Sequence, residues 1–366
     1  MPAEWEAHEA TWVGWPHNIS DWPGKFAPIP WAYVEIIRKI APGEIVRILV
    51  NSQSARTRAL RILQRAGVDS SRLEFFRVPT NRGWTRDFGP MFVRKDKHKP
   101  GAHAAKADGS EVAIVRFRFN GWAKYPNWQK DDAVPERVAR ILSPRGGKPM
   151  RVFHARVNGH DLVLEGGSIE VNGRGTVMTT EECLLDPTTQ VRNPGVTRRD
   201  IETGLREYLG ATNILWLGRG IAGDDTHGHV DDLCRFVGPR TVVLCCEEDS
   251  SDTNYRPLQE NRERLQGMEL EDDSKIEVVA LPMPQALYFD GQRLPASYAN
   301  FYISNTAVLV PTFNDPRDRI ALVVLAELVT DRPVVGIHAV DLVWGKGTLH
   351  CLTQQQPASF VQFSKL

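Results

Sequence analysis

Five short stretches of the chain set a chemically active side chain beside glycine, proline or aspartate, each where a loop gives way to an apolar, strand-like run. "WTRDFGP" carries Asp87, "LEGGS" carries Glu165, "GDDTHGHVDD" carries His229 and Asp231, "LPASYAN" ends on Asn300, and "GKGTLHCLTQQQP" carries Cys351. Singly, each has an ordinary reading. Asp87 before Gly89 and Pro90 could cap a turn, Glu165 could be a turn acid, Asp231 beside Asp232 could be solvated surface, and Asn300 could stabilise a hairpin backbone. Cys183, Cys234, Cys245 and Cys246 read as small buried hydrophobes. Cys351 differs in its flanks, a glycine-rich approach and a polar exit. A cysteine, a histidine and three acids at like junctions make a nucleophile, its acid/base partner and a negative cradle wherever a fold brings those junctions together.

Such a cradle suits a guanidinium ion. The ion is planar and donates hydrogen bonds in a fixed fork, so two carboxylates can grip separate edges while a thiolate approaches its central carbon. Charge-assisted pairing orients the plane, and attack gives a tetrahedral adduct from which ammonia leaves. Histidine can protonate the departing amine and then deprotonate the water that releases a urea-type product. Neither a metal nor another cofactor is required. His227 and His229 at alternate positions, joined by Asp225 or Asp231, form the competing metal reading, which lacks a third clear ligand cluster.

The elements that must position these residues are legible as a repeat. With 366 residues, 42% of them hydrophobic, and a formal net charge of zero, the chain can bury a large core and offers no electrostatic footprint for nucleic acid or an anionic membrane. A small-molecule partner is therefore expected, and the sequence leaves a homo-oligomer open. The opening "MPAEWEAHEATWVGWP" has Glu4 and Glu6 where a secretion signal needs positive charge. No apolar run approaches the roughly 18 residues of a spanning helix. Five cysteines without a CxxC pair fit reduced thiols, and the expected location is the cytoplasm.

Five passes of strand, loop, strand, tight turn and strand follow one another. The first begins at "LEFFRVP", the second at "MRVFHARV", the third at "NILWLGRG", the fourth at "KIEVVALPMP" and the fifth at "PVVGIHAV". The fifth is short of a strand, which "IVRILV" (Ile45 to Val50) near the N-terminus could lend. Between passes, apolar residues at three- and four-residue spacing predict helices, among them Ala32 to Ile40 and Ser54 to Gly67, the latter with Ser54 as N-cap and Gly67 as its C-terminal stop. Strands alternating with helices fit a doubly wound sheet or a radial arrangement, and hairpins in every unit favour the radial one. The polar stretch at 95–110 reads as a surface insertion.

The chain resembles the agmatine deiminases, within the guanidine-modifying (pentein) superfamily that also holds arginine deiminases, bacterial-type peptidylarginine deiminases and amidinotransferases. The resemblance rests on the opening stretch, "WTRDFGP", "LEGGSIEVNGRGT", "GDDTHGHVDD", "LPASYANFYISN" and "HCLTQQQP", and runs nearly end to end. It implies a single catalytic domain, residues 1–366, folded as a five-bladed pseudosymmetric α/β propeller. It implies that Cys351 is the nucleophile, His229 the general acid and base, Asp87 and Asp231 the guanidinium pair, and Glu165 the acid that orients the histidine and contacts the substrate. Trp84 would pack along the substrate's aliphatic arm. Agmatine, hydrolysed to N-carbamoylputrescine and ammonia, is the implied substrate, and Asp224 or Asp225 could meet its distal ammonium. Free arginine, a peptidyl arginine, or amidino transfer to an amine are the alternatives within the fold. The chain departs from familiar members at His227 in "DDTHGH".

Overall fold

The computed structural model describes residues 1–95, 111–143 and 149–359; all of the insertion expected at 95–110 except Lys95 lies outside them. Five sheets of like construction carry the fold, with two minor two-stranded ribbons beside them among the described residues. In four of the five sheets, an antiparallel hairpin is followed by a helix and then by a strand parallel to the second strand of the hairpin. Met91–Lys95 and Glu111–Arg116 form one such hairpin, Val134–Leu142 the helix, and Val152–His154 the parallel strand. Glu170–Val171, Thr176–Thr180 and Asn213–Leu217 repeat the pattern around helix Arg198–Leu209. Cys234–Phe236, Thr241–Cys246 and Glu277–Pro282 do so around Tyr255–Gln266. Tyr302–Ile303, Val308–Thr312 and Val334–His338 do so around Arg317–Leu328.

The fifth sheet splices the chain ends. Thr353–Pro357 runs antiparallel to His8–Gly14, which pairs in parallel with Ile45–Val50, and Leu73–Arg77 extends the edge. The loan expected from the N-terminal part is thus made directly by His8–Gly14, with Ile45–Val50 one strand further on. The repeat itself is shifted by one strand from the sequence reading. "LEFFRVP" belongs to the end-splicing sheet, and the loop after it connects two sheets instead of lying inside one. Strand runs alone cannot set this phase, because the parallel strand closing one sheet and the hairpin opening the next are neighbours in the chain.

Local chemistry explains the helices. Arg198–Leu209 starts at a capping box between Thr197 and Asp200 and stops at Gly210, whose φ is 73°. Gln53–Arg65 is capped by Ser52, two residues before the expected Ser54, because the Ser52 hydroxyl accepts from Ala55 N at 3.1 Å. Among the described residues no helix is long and apolar enough to cross a membrane.

A buried ionic node holds the splice. Glu4 accepts from Arg235 Nη2 at 2.9 Å, Arg86 Nη2 at 3.1 Å and the backbone N–H of Ile303 at 2.8 Å, and pairs with His350 Nε2 at 2.8 Å. Burial works to raise its pKa, but Arg235 and His350 hold it well below the usual range. Glu4→Ala would leave buried Arg86 without a carboxylate and Arg235 with Glu170 alone, so a loss of about 3–5 kcal/mol in denaturant unfolding is expected. A loss under about 1 kcal/mol, the worth of an exposed pair, would show that the node is solvated.

Candidate active site

All five active side chains precede the first strand of a sheet. Asp87 sits on the helical turn Thr85–Phe88, Glu165 and His229 immediately before the 3-10 turns Gly166–Ser168 and Val230–Asp232, Asn300 just before Tyr302–Ile303, and Cys351 on the turn Leu349–Leu352. These turns pack on one another, so the sequence-predicted residues converge. Gly167 makes the convergence fit. A side chain there would bring its Cβ within 2.6 Å of His229 Nδ1 and 2.9 Å of carboxylate oxygens of both Asp87 and Asp231.

His229 is fully buried among acids. Its Nδ1 lies 3.7 Å from Asp87 Oδ1 and 3.9 Å from Asp231 Oδ1, and its Nε2 lies 3.6 Å from Glu165 Oε2. Burial opposes its charge, but Asp87, Cys183 and Glu165 raise its pKa well above the ordinary value, so the imidazolium form is favoured. Cys183, read from sequence as inert core, is therefore a neighbour of the site. Burial pushes Glu165 upward, yet Arg192, 3.2 Å away, and His229 hold it down at about 2. Asp87 goes the other way. Burial, with Asp231 and Glu165 adding to it, lifts it to about 6 against the pull of His229. Its oxygens accept from Trp122 Nε1 at 3.0 Å and Gly167 N at 3.2 Å.

Cys351 Sγ lies 3.8 Å from Asp231 Oδ2 and 3.1 Å from Asn300 Nδ2. Burial and the charges of Asp231, Asp232 and Asp87 push its pKa well above the thiol range, so the resting sulfur is a neutral thiol. Asn300 does more than support a hairpin. Its Oδ1 accepts from Thr348 Oγ1 at 2.8 Å and from the His350 backbone N–H at 3.1 Å, fixing the turn that carries the sulfur. The opening glycines of that stretch have a related use. A Cβ on Gly347 would come within 3.0 Å of both Trp84 and Cys351.

A cavity of about 470 Å³ opens onto Cys351, Asp87 and Trp84 at its buried end and onto Asp225 and Lys346 further out. Trp84 packs at 5.1 Å on Trp22, giving the cavity an apolar wall where expected. Asp224 serves the loop instead, accepting from the backbone N–H groups of Thr226, Gly228 and His229. Asp225 lines the cavity but is already paired, with Lys124 Nζ at 2.6 Å and Tyr125 Oη at 2.7 Å. His227 pairs with Asp186 at 2.8 Å and lies 3.9 Å from Glu182, so it does not join His229 in one ligand set.

Sequence reasoning missed His350, Arg192, Trp122 and the Asp21–Arg82 pair. His350 Nδ1 lies 2.6 Å from Asp231 Oδ2 and its Nε2 reaches Glu4, linking the site to the ionic node. A signal was available for this one, since His350 adjoins Cys351 in a chain with few histidines.

An α/β chain whose like sheets bring a thiol, a histidine and buried carboxylates to one place is of the pentein class, and solved structures agree. It superposes on agmatine deiminase of Enterococcus faecalis with a TM-score of 0.84 at 31% identity, covering 98% of this chain and 96% of that one. A cysteine-to-serine variant of C. jejuni agmatine deiminase with substrate bound gives 0.81 at 29% identity, with the same coverages. Agmatine deiminase of Pseudomonas aeruginosa (strain LESB58) is 34% identical over 381 aligned positions, covering 98% of this chain and 95% of that protein. Residues 1–357 match the Porphyromonas-type peptidyl-arginine deiminase family, and the chain belongs to that family.

The raised thiol can be checked directly. Iodoacetamide alkylation of Cys351 in the substrate-free protein, followed by peptide mass spectrometry, is expected to keep accelerating above pH of about 9, past an ordinary thiol. A plateau below that range would show a pre-formed thiolate.

Proposed function

We propose that the protein hydrolyses agmatine to N-carbamoylputrescine and ammonia through a covalent adduct on Cys351. The observation that carries this reading is that the Cys351 sulfur and the Asp87 carboxylate face one cavity while His229 stands behind them between Asp87, Asp231 and Glu165. The like names of full-length relatives support the choice of agmatine. In the same reading residues 1–366 form one catalytic domain, and the five sheets are blades of a five-bladed α/β propeller closed by the strand pair of the chain ends. Five free cysteines fit a reducing, cytoplasmic setting.

The roles follow from the charges. Asp87 and Asp231 hold the guanidinium, and Trp84 lies along its aliphatic arm. The arriving cation offsets the acids that keep Cys351 neutral, so the thiol releases its proton to solvent with substrate in place. The sulfur bonds to the guanidinium carbon, and protonated His229 gives its proton to the departing ammonia. Now neutral, His229 takes a proton from water, whose oxygen displaces the sulfur and completes the urea. Glu165, kept ionised by Arg192, orients and charges the imidazole, and Asn300 aims the sulfur.

Cys351→Ser is expected to abolish ammonia release from agmatine while substrate still binds, and a rapidly quenched reaction of the unaltered protein should show an amidino adduct on Cys351 alone. Substantial turnover by the serine variant, or loss of activity on EDTA restored by zinc, would end the covalent, metal-independent mechanism. Asp87 must be ionised to hold a cation, so kcat/KM should rise with pH through about 6. Asp87→Asn should remove that limb and cost about 2–5 kcal/mol in transition-state stabilisation, and Asp231→Asn a similar amount. Near-normal kinetics for either would place its side chain outside the reacting group's reach.

A further inference from the structure

Lys346 stands between Gly345 and Gly347 with φ of 72°, in the left-handed region that glycine enters freely and a long L side chain does not. A residue kept there against local preference, on the wall of the catalytic cavity, points to use. Its half-buried side chain sends Nζ to the carbonyl of Arg293 at 3.3 Å, 5.7 Å from the centre of the Trp344 ring. Among the described residues no carboxylate lies within ion-pair distance of it. The acids near it are engaged. Asp21 is paired by Arg82, and Asp225 by Lys124 and Tyr125. Arg82 faces the buried Asp131 as well as Asp21, and Lys124 is taken by Asp225, so among the described residues Lys346 is the cation on the cavity wall with no carboxylate of its own. Burial lowers the Lys346 pKa, Asp225 opposes the shift and Lys124 adds to it, as befits a cation without a full counter-charge. A carboxylate arriving there gains a partner in Lys346, whereas an ammonium is repelled by it.

We propose that Lys346 reads the distal end of the substrate, and that the enzyme deiminates ω-guanidino carboxylates of agmatine-like length, with 4-guanidinobutanoate the simplest, as a second substrate class. This rests on the deiminase reading above and uses the same step. Cys351 gives up its S–H proton to solvent as the guanidinium binds, Sγ bonds to the guanidinium carbon, and the C–N bond breaks as ammonia leaves with a proton from His229. Water deprotonated by His229 then breaks the C–S bond, giving 4-ureidobutanoate and the free thiol, with no change of oxidation state.

The test measures kcat/KM by ammonia release for agmatine and 4-guanidinobutanoate in the full-length protein, Lys346→Gly and Lys346→Met. Glycine takes this φ without strain, so Lys346→Gly is expected to fold at least as stably, and methionine keeps the side-chain length without the charge. The unaltered protein should turn over both substrates. Both variants should lose about tenfold or more on the carboxylate, chiefly through KM, and gain on agmatine, as expected for removal of one cation from a partly screened site. Lys346→Arg should hold the original ratio. An unmoved ratio in both variants, or release from agmatine alone by the unaltered protein, overturns the proposal and leaves the deiminase reading standing. Release from neither substrate overturns both.

Discussion

Charge taken out of water is the constraint on which this structure depends. Asp87, Glu165, Asp231 and Asp232 are all buried around one histidine and one thiol, and like charges in so dry a place repel strongly. The fold answers with guanidinium groups and a shared imidazole at fixed points. Arg192 neutralises Glu165, and Asp231 shares His350 with Glu4, which is in turn held by Arg235 and Arg86. Each of these partners comes from a different sheet or chain end, so the ionic network and the convergence of the sheets are one requirement. Asp232 is lifted by burial and by Asp231 and Asp224, so it holds its proton more tightly than an ordinary carboxyl.

The same balance decides reactivity. Whether neighbouring acids or a protonated histidine controls the thiol depends on distances. Here the carboxylates and burial win at Cys351, while His229, surrounded by the same acids, is held charged. In the proposed reaction the nucleophile and the acid are thus both kept in their protonated forms until a cation enters. A resting thiolate would be open to oxidation and stray electrophiles, and this arrangement ties its formation to the right ligand.

Backbone conformation follows the site as well. Trp122, with φ of 57°, turns its indole N–H to Asp87, and Lys346 turns a cation toward the outer cavity. Both hold a left-handed conformation that neither residue type prefers, and both line the same space, where surrounding packing over-determines them.

The sequence by itself determined the period of the fold and the five residues that the turns deliver, Asp87, Glu165, His229, Asn300 and Cys351. Alternation, caps and turn glycines are local, and each active residue occupies the same place before a hairpin. Only the tertiary structure decided the phase of the repeat, since "LEFFRVP" pairs with Ile45–Val50 before it and not with the strands that follow its own loop. It alone decided that Asp225 is answered by Lys124, that Cys183 adjoins His229, and that His350 bridges Asp231 to Glu4, 346 residues away. Which charges cancel is a matter of distance and burial, and neither is encoded in spacing along the chain.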